Sequence, residues 1–185
     1  MKVAVAVTGA SGSVYAKLLL EKLVALKEQV KEISVVWSDN AHTVWEHEIG
    51  DKTYSSFDVK VWKKDDFMAP FASGSSTYSA LIICPCSMGM VGRIAAGISN
   101  DLISRAADVM LKERRKLICV VRETPYNLIH LKNMTAITEA GGIICPATPS
   151  FYSKPSTLAE AANTVVVRAL HLAGIYVEGY KWNEE

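Results

Sequence analysis

Short apolar runs alternate along the chain with longer stripes of apolar residues spaced three and four apart, and the two periods predict two kinds of element. Val3-Ala4-Val5-Ala6-Val7 is β-branched and too short for a helix, so it reads as a buried strand. Ala16, Leu19, Leu20, Leu23 and Leu26 then mark one face of a helix. Glu32 to Trp37 reads as a second strand ending at Ser38, His42 to Glu48 as a short helix, and Asp58 to Trp62 as a third strand. A loop of small residues from Asp65 to Thr77 leads into the strand Ala80-Leu81-Ile82-Ile83; loops of that length usually serve a site. Ile103, Ala106, Ala107, Met110 and Leu111 stripe the next helix, Leu117 to Val121 is a strand, Leu128 to Ala140 is helical, and Ile143-Ile144-Cys145 is a last strand. Leu158, Ala161, Ala162, Val165, Ala169 and Leu172 form the buried face of the closing helix. Strands alternating with helices throughout predict an α/β fold, a doubly wound and mainly parallel sheet with helices on both faces, in one domain over residues 1–185.

Two strand-to-helix junctions carry candidate chemistry: Thr8-Gly9-Ala10-Ser11-Gly12 and Cys84-Pro85-Cys86-Ser87-Met88-Gly89. Both fall at carboxyl ends of strands, where such sheets bind ligands. A helix opening just beyond Ser11 presents unpaired amides and the positive end of its dipole, which favour an anion, and glycine lets a ligand approach the backbone. A dinucleotide fingerprint wants a third glycine where Tyr15 stands and an acid where Ser38 closes the second strand, although Asp39 is adjacent. No tyrosine is followed four residues later by lysine, so the short-chain dehydrogenase pattern is missing too. A mononucleotide, FMN before NAD, suits these turns better.

Lys and Arg number 20 against 19 Asp and Glu, so no broad field exists to hold a nucleic acid or an anionic membrane, and any bound phosphate should be small and locally held. Half the 185 residues are apolar, which predicts surface buried between subunits, a homo-oligomer. The uncharged segment Met68 to Gly92 is interrupted by Pro70, Pro85 and a Ser/Gly/Thr cluster, and its apolar core is too short to span a bilayer. With no leader pattern before the first strand, the expected location is the cytoplasm. Cys84, Cys86, Cys119 and Cys145 lie in apolar runs as packing residues rather than as disulfides or ligands, and His42, His47, His130 and His171 show no metal spacing, so no metal is expected. Arg105 and Lys112 are two helical turns apart with Asp108 between them, which by spacing alone describes an ion-paired solvated stripe. Arg122-Glu123-Thr124-Pro125 follows a strand directly, placing a cation beside an acid at the ligand edge of the sheet.

Several of these segments carry a resemblance. Gly-Ala-Ser-Gly at 9–12, Ala-Ser-Gly-Ser at 72–75, Cys-Pro-Cys-Ser-Met-Gly at 84–89, Arg-Ala-Ala-Asp-Val-Met-Leu-Lys-Glu-Arg-Arg at 105–115, Arg-Glu-Thr-Pro at 122–125 and Pro-Ser-Phe-Tyr-Ser-Lys-Pro at 149–155 resemble the UbiX-type flavin prenyltransferases over nearly the whole chain. The resemblance implies a flavodoxin-like homo-oligomer, commonly a dodecamer built of trimers, with FMN between subunits. It implies transfer of a dimethylallyl group from dimethylallyl phosphate to N5 and C6 of reduced FMN without a metal, and delivery of the prenylated flavin to UbiD-type decarboxylases. Gly9, Ala10, Ser11, Ser38, Ser87, Met88, Gly89, Met90 and Arg122 resemble the FMN contacts, and Tyr152 and Arg168 the prenyl-phosphate contacts. Arg105, Lys112 and Glu123 would complete a charged phosphate pocket, with Ser11 and Glu48 beside the reacting atoms. Phe67 stands where some relatives have a tryptophan near the prenyl group, and Met90 replaces a common threonine while keeping the backbone amide a phosphate would need. The donor, monophosphate or diphosphate, is left open. So are two other readings, an FMN-dependent cysteine decarboxylase of the same fold and a non-catalytic flavin carrier.

Overall fold

The computed structural model describes residues 1–180. β1 (Lys2–Val7), β2 (Glu32–Trp37), β3 (Lys60–Trp62), β4 (Tyr78–Cys86), β5 (Lys116–Val121) and β6 (Ile143–Pro146) form one sheet in the order β3-β2-β1-β4-β5-β6. All five pairings are parallel. Around it lie α1 (Ser13–Ala25), α2 (Ala41–Ile49), α3 (Met88–Ala95), α4 (Leu102–Lys112), α5 (Leu128–Glu139) and α6 (Leu158–Leu172). The strand order reverses between β1 and β4. The carboxyl edge at such a reversal is the usual place for a ligand in a doubly wound sheet.

Alternation along β1 explains why it reads as an unbroken apolar run. Val3, Val5 and Val7 point into a core shared with Leu19, Leu20 and Leu23 of α1 and Val165, Val166 and Leu170 of α6. Ala4 and Ala6 point the other way, onto a core built with Val91 and Ile94 of α3 and Ala106 and Met110 of α4. A strand covered on both faces has no polar side to show.

β4 is longer than its apolar centre predicts: it starts at Tyr78 and continues through Cys84-Pro85-Cys86, so the turn proper begins at Ser87. The β4–β5 register shifts between Ile83 and Cys86, which accommodates a proline without an N–H on a central strand. All four cysteines are buried and free. Beyond Ser87 the chain forms two helices rather than one, because Asp101 starts α4 afresh with a capping box to Ser104. The 65–77 loop contains a 3-10 turn at Pro70–Ala72 whose Phe71 is fully buried. From the start of α4 this loop descends along that helix to the amino edge of the sheet: Leu102 N–H donates to Lys64 O, Arg105 Nε to Ala72 O, and Arg115 to Gly74 O and Tyr78 O.

Candidate active site at the carboxyl edge

Thr8, only 3% exposed, fastens the two turns that flank the switch point. Its hydroxyl donates to Pro85 O at 2.8 Å and accepts from Ser87 N–H at 3.0 Å. Ser38 N–H donates to Val7 O, and Arg122 N–H to Cys86 O, so the ends of β1, β2, β4 and β5 are stitched side by side. Arg122 reaches back across this seam, its Nε 3.1 Å from Ser11 O. Gly9 is required by closeness rather than by φ: a Cβ there would stand 2.7 Å from Cβ of Asn40 in the β2 turn. Ser11, Ser38, Ser87, Gly89 and Arg122 are thereby gathered along one edge.

The two helix N-termini at this edge differ. At α1 the anion is already supplied by the protein, because Glu48 of α2 accepts from Gly12 N–H at 2.9 Å and from Ser13 N–H at 2.7 Å. Burial alone would raise the Glu48 carboxyl. Hydrogen bonds from the Ser11 hydroxyl and from the Ser13 and Gly12 amides outweigh it and hold the group below the ordinary glutamate range. The α1 turn, expected to bind phosphate, therefore holds a carboxylate. At α3, Ser87 caps the helix by accepting from Met90 N–H, which takes up the Met90 amide expected for a phosphate; the Met90 side chain is buried. What α3 leaves open is Gly89, exposed and with no atom nearer than 4.0 Å to where its Cβ would stand. Exposed amides at the start of a helix are the kind of group that a small anion pairs with.

Tyr15 joins this edge to a second region. Its hydroxyl donates to Ala147 O at 3.3 Å, and Ala147 N–H donates to Val121 O, so the start of the β6–α6 loop lies against α1. Burial and the neighbouring Cys84 raise the Tyr15 hydroxyl while the Arg122 guanidinium pulls it down, which places Arg122 within electrostatic reach. Past Ala147 opens a cleft of about 500 Å³ between that loop, α6 and the C-terminal segment, lined by Thr148, Ser150, Asn163, Arg168 and Tyr180 among others. Arg168 is exposed at this cleft, and Tyr152 stacks parallel to Tyr180 with ring centroids 6.2 Å apart. Asn163 Oδ1 is buried and has no donor among the described residues.

Arg105 and Lys112 are elsewhere. Arg105 pairs with Asp108 at 2.9 Å and Lys112 with Glu113, as the solvated-stripe reading predicts. Lys112 ends α4 just before β5 begins at the amino edge, whereas Arg122 and Glu123 follow the carboxyl end of β5. Six strand residues, about 20 Å, separate them. One chain does not bring Lys112 and Glu123 into a single pocket. Phe67, 47% exposed, sits at the start of the descending loop. Among the described residues no group of His, Cys, Asp and Glu is arranged to hold a metal, and no helix is long and apolar enough to cross a membrane.

The Flavoprotein family model matches residues 1–168. The flavin prenyltransferase UbiX of Methanocaldococcus jannaschii is 42% identical over 177 residues, covering 95% of this chain and 94% of that protein. The chain belongs to the UbiX flavin prenyltransferase family. A dodecameric FMN-dependent UbiX-like decarboxylase from Escherichia coli O157:H7 superposes with a TM-score of 0.91 at 36% identity, over 99% of this chain and 100% of that one. A UbiX solved with FMN and dimethylallyl pyrophosphate matches with a TM-score of 0.85 at 38% identity, over 98% of each chain. An FMN-dependent cysteine decarboxylase from thioviridamide biosynthesis reaches only 16% identity at a TM-score of 0.66, a likeness of fold alone.

Within this UbiX-family chain the first turn is visible in the sequence from Thr8 onward, but the role of the Thr8 hydroxyl in fastening it to the second turn is not. Asn40, against which Gly9 packs, carries no motif, and Tyr15, which ties α1 to the β6–α6 loop, reads in the sequence only as a missing glycine. His130 proves to be a capping residue, in a reciprocal box with Asn127, and His42 stacks on Tyr54 at 4.3 Å.

Proposed function

We propose that the protein is a flavin prenyltransferase that joins the dimethylallyl group of dimethylallyl phosphate to N5 and C6 of reduced FMN, making the prenylated-FMN cofactor of UbiD-type decarboxylases. The observation that carries this reading is the seam of Ser11, Glu48, Ser87 and Arg122 beside a cleft whose exposed cation is Arg168. The open first turn of α3 would take the flavin phosphate, with Gly9, Ala10, Ser38, Ser87, Met88, Gly89 and Arg122 around the rest of it. Reduced flavin supplies the nucleophilic nitrogen and carbon.

The remaining work falls to side chains. An allylic phosphate ionises with loss of an anion, so cations have to stabilise the departing charge. Arg168 and Tyr152 would hold it from the cleft, with Arg105 and Lys112 supplied by a neighbouring copy, since their own chain sets them at the opposite end of β5. Glu48, whose carboxylate is favoured by Ser11 and the α1 amides, would accept a proton through the Ser11 hydroxyl, and Glu123 would relay one at the phosphate. Phe67 would offer an apolar aromatic wall to the allyl group. The exposed Leu128, Ile129 and Leu131 of α5 suit burial between copies, in a homo-oligomer that we take to be the dodecamer of trimers. Four buried, reduced cysteines suit the reducing cytoplasm.

Anaerobic incubation with reduced FMN and dimethylallyl monophosphate, and separately the diphosphate, tests the reading. Flavin extracted afterwards should be heavier by one prenyl group with one donor or both. Unchanged flavin with both donors overturns it and leaves a flavin carrier.

A further inference from the structure

Beyond Leu172 the chain does not leave the domain. It reverses at Gly174, whose φ is 83°, and runs back over α1 and α6 as an extended strap. Ile175 and Val177 are buried in the α1–α6 core while Tyr176 and Glu178 face outward, the period of a strand lying on an apolar floor. Two side chains outside the strap hold its backbone. Gln29, in the connection from α1 to β2, uses both ends of its amide: Nε2 donates to Tyr176 O at 2.8 Å, and Oε1 accepts from Tyr176 N–H at 2.9 Å. His171 Nε2 lies 2.8 Å from Val177 O, so that nitrogen carries the proton, and the imidazole stacks on Tyr176. Three residues further on, Gly179 passes so close to α6 that a Cβ would stand 2.7 Å from a Val167 methyl. Tyr180 then lies parallel to Tyr152 at the mouth of the Arg168 cleft.

We infer that Gln29 is a positioning residue for the prenyl-phosphate cleft, acting through the strap to set Tyr180 against Tyr152. The inference rests on the reading of that cleft given above. Gln29 sits in the α1–β2 connection at the amino edge, the opposite edge from the flavin turns, and its two bonds supply partners for both backbone groups of Tyr176. Loosening them frees one wall of the cleft and leaves Arg168 and the flavin side in place. The consequence is weaker capture of the phosphate donor, with the chemistry unchanged once it is bound.

Gln29→Leu, Gln29→Glu, His171→Leu, His171→Gln and Arg168→Ala are compared with the unaltered protein, using dimethylallyl phosphate as the varied substrate at saturating reduced FMN. Gln29→Leu should raise KM for the donor about tenfold with kcat and FMN affinity unchanged, and should speed amide exchange in the peptide containing Tyr176 and Val177. Gln29→Glu keeps the acceptor and loses the donor, so its KM should fall between the two. His171→Leu should behave as Gln29→Leu, while His171→Gln, which restores an Nε2–H donor, should recover most of the loss. Unchanged exchange in Gln29→Leu overturns the clasp. Faster exchange with unchanged KM overturns the coupling to the cleft, provided Arg168→Ala raises KM. If Arg168→Ala leaves KM unchanged, the cleft is not the donor site and the inference falls with that reading. Loss of FMN binding or a collapse of thermal stability in Gln29→Leu would make the clasp a general fold element and would also overturn it.

Discussion

Glu48 closes the N-terminus of α1 with its carboxylate 2.7 Å from the amide of Ser13, thirty-five residues away in the chain. A glycine-rich turn that looks in sequence like a phosphate cradle is in the fold a carboxylate cradle. The dipole that would have drawn a ligand anion instead keeps a side-chain base ionised beside Ser11. Under the proposed function the two turns at the switch point would take different tasks, proton handling at α1 and anion binding at α3.

Glu48→Gln separates charge from shape, since the amide oxygen can still accept from Gly12 and Ser13. Product formation should fall about 100-fold or more while FMN still binds, measured by single-turnover mass spectrometry and flavin titration. The stability effect has a defined sign. The Glu48 carboxyl lies below its ordinary value of 4.5, so its contribution is present above that pH and fades as pH falls through the folded-state value. Urea unfolding should show the unaltered protein more stable than Glu48→Gln near neutrality, with the difference vanishing in acid.

Gly9→Ala tests the seam. The added Cβ meets Asn40 Cβ and, a little further off, Asn40 backbone, neither of which can swing aside as a long side chain would. The β1 and β2 turns must part. FMN affinity should drop about tenfold or more, whereas turnover at saturating flavin should change far less. Flavin fluorescence titration checks both halves of this expectation.

Away from the site, Tyr78 tests the amino edge. Trp62 Nε1 donates to Ser34 Oγ at 3.0 Å, the Ser34 and Tyr78 hydroxyls are 2.7 Å apart, and Tyr78 donates to Glu32 at 2.8 Å, with Lys2 closing the line. Tyr78→Phe takes one partner from Ser34, which keeps Trp62, and one from Glu32, which keeps Lys2, and should cost about 1 kcal/mol in urea unfolding. Burial pushes the Tyr78 hydroxyl up to about 12 from 10.0. A raised value stabilises the fold below the ordinary pKa and loses that contribution as pH climbs through the folded one, so alkaline destabilisation between about pH 10 and 12 should be weaker in Tyr78→Phe.

The parallel sheet was legible because strands buried on both faces leave unbroken apolar runs, as in Val3 to Val7, and because the helical stripes between them are long. Boundaries set by hydrogen bonding were not. Cys84-Pro85-Cys86 looks like a turn yet extends β4, and Asp101 divides two helices through a cap that composition does not announce. At the site, motif spacing located both turns and put Arg122 and Glu123 at the ligand edge. It could not show Glu48 meeting Ser13 or Gln29 gripping Tyr176, since neither pair has any local period. Arg105, Lys112 and Glu123 came together only through resemblance. The fold shows why: α4 ends where β5 begins, so Lys112 and Glu123 lie at opposite ends of that strand.

That separation yields the sharpest test of a shared site. Lys112→Ala and Glu123→Ala should each abolish product formation while flavin stays bound. If one copy supplies Lys112 and its neighbour Glu123, mixed oligomers contain junctions in which both side chains are intact. Dissociating the two inactive variants, mixing them equally and reassembling should then restore roughly a quarter of normal activity, as random pairing across a heterologous interface requires. Pairing Lys112→Ala with Arg105→Ala is the control. Those two residues share helix α4, so if both act from the same copy no mixed junction is repaired and activity should stay absent. Recovery in the control, or none in the test pair, would show that the phosphate pocket is not divided between copies in this way.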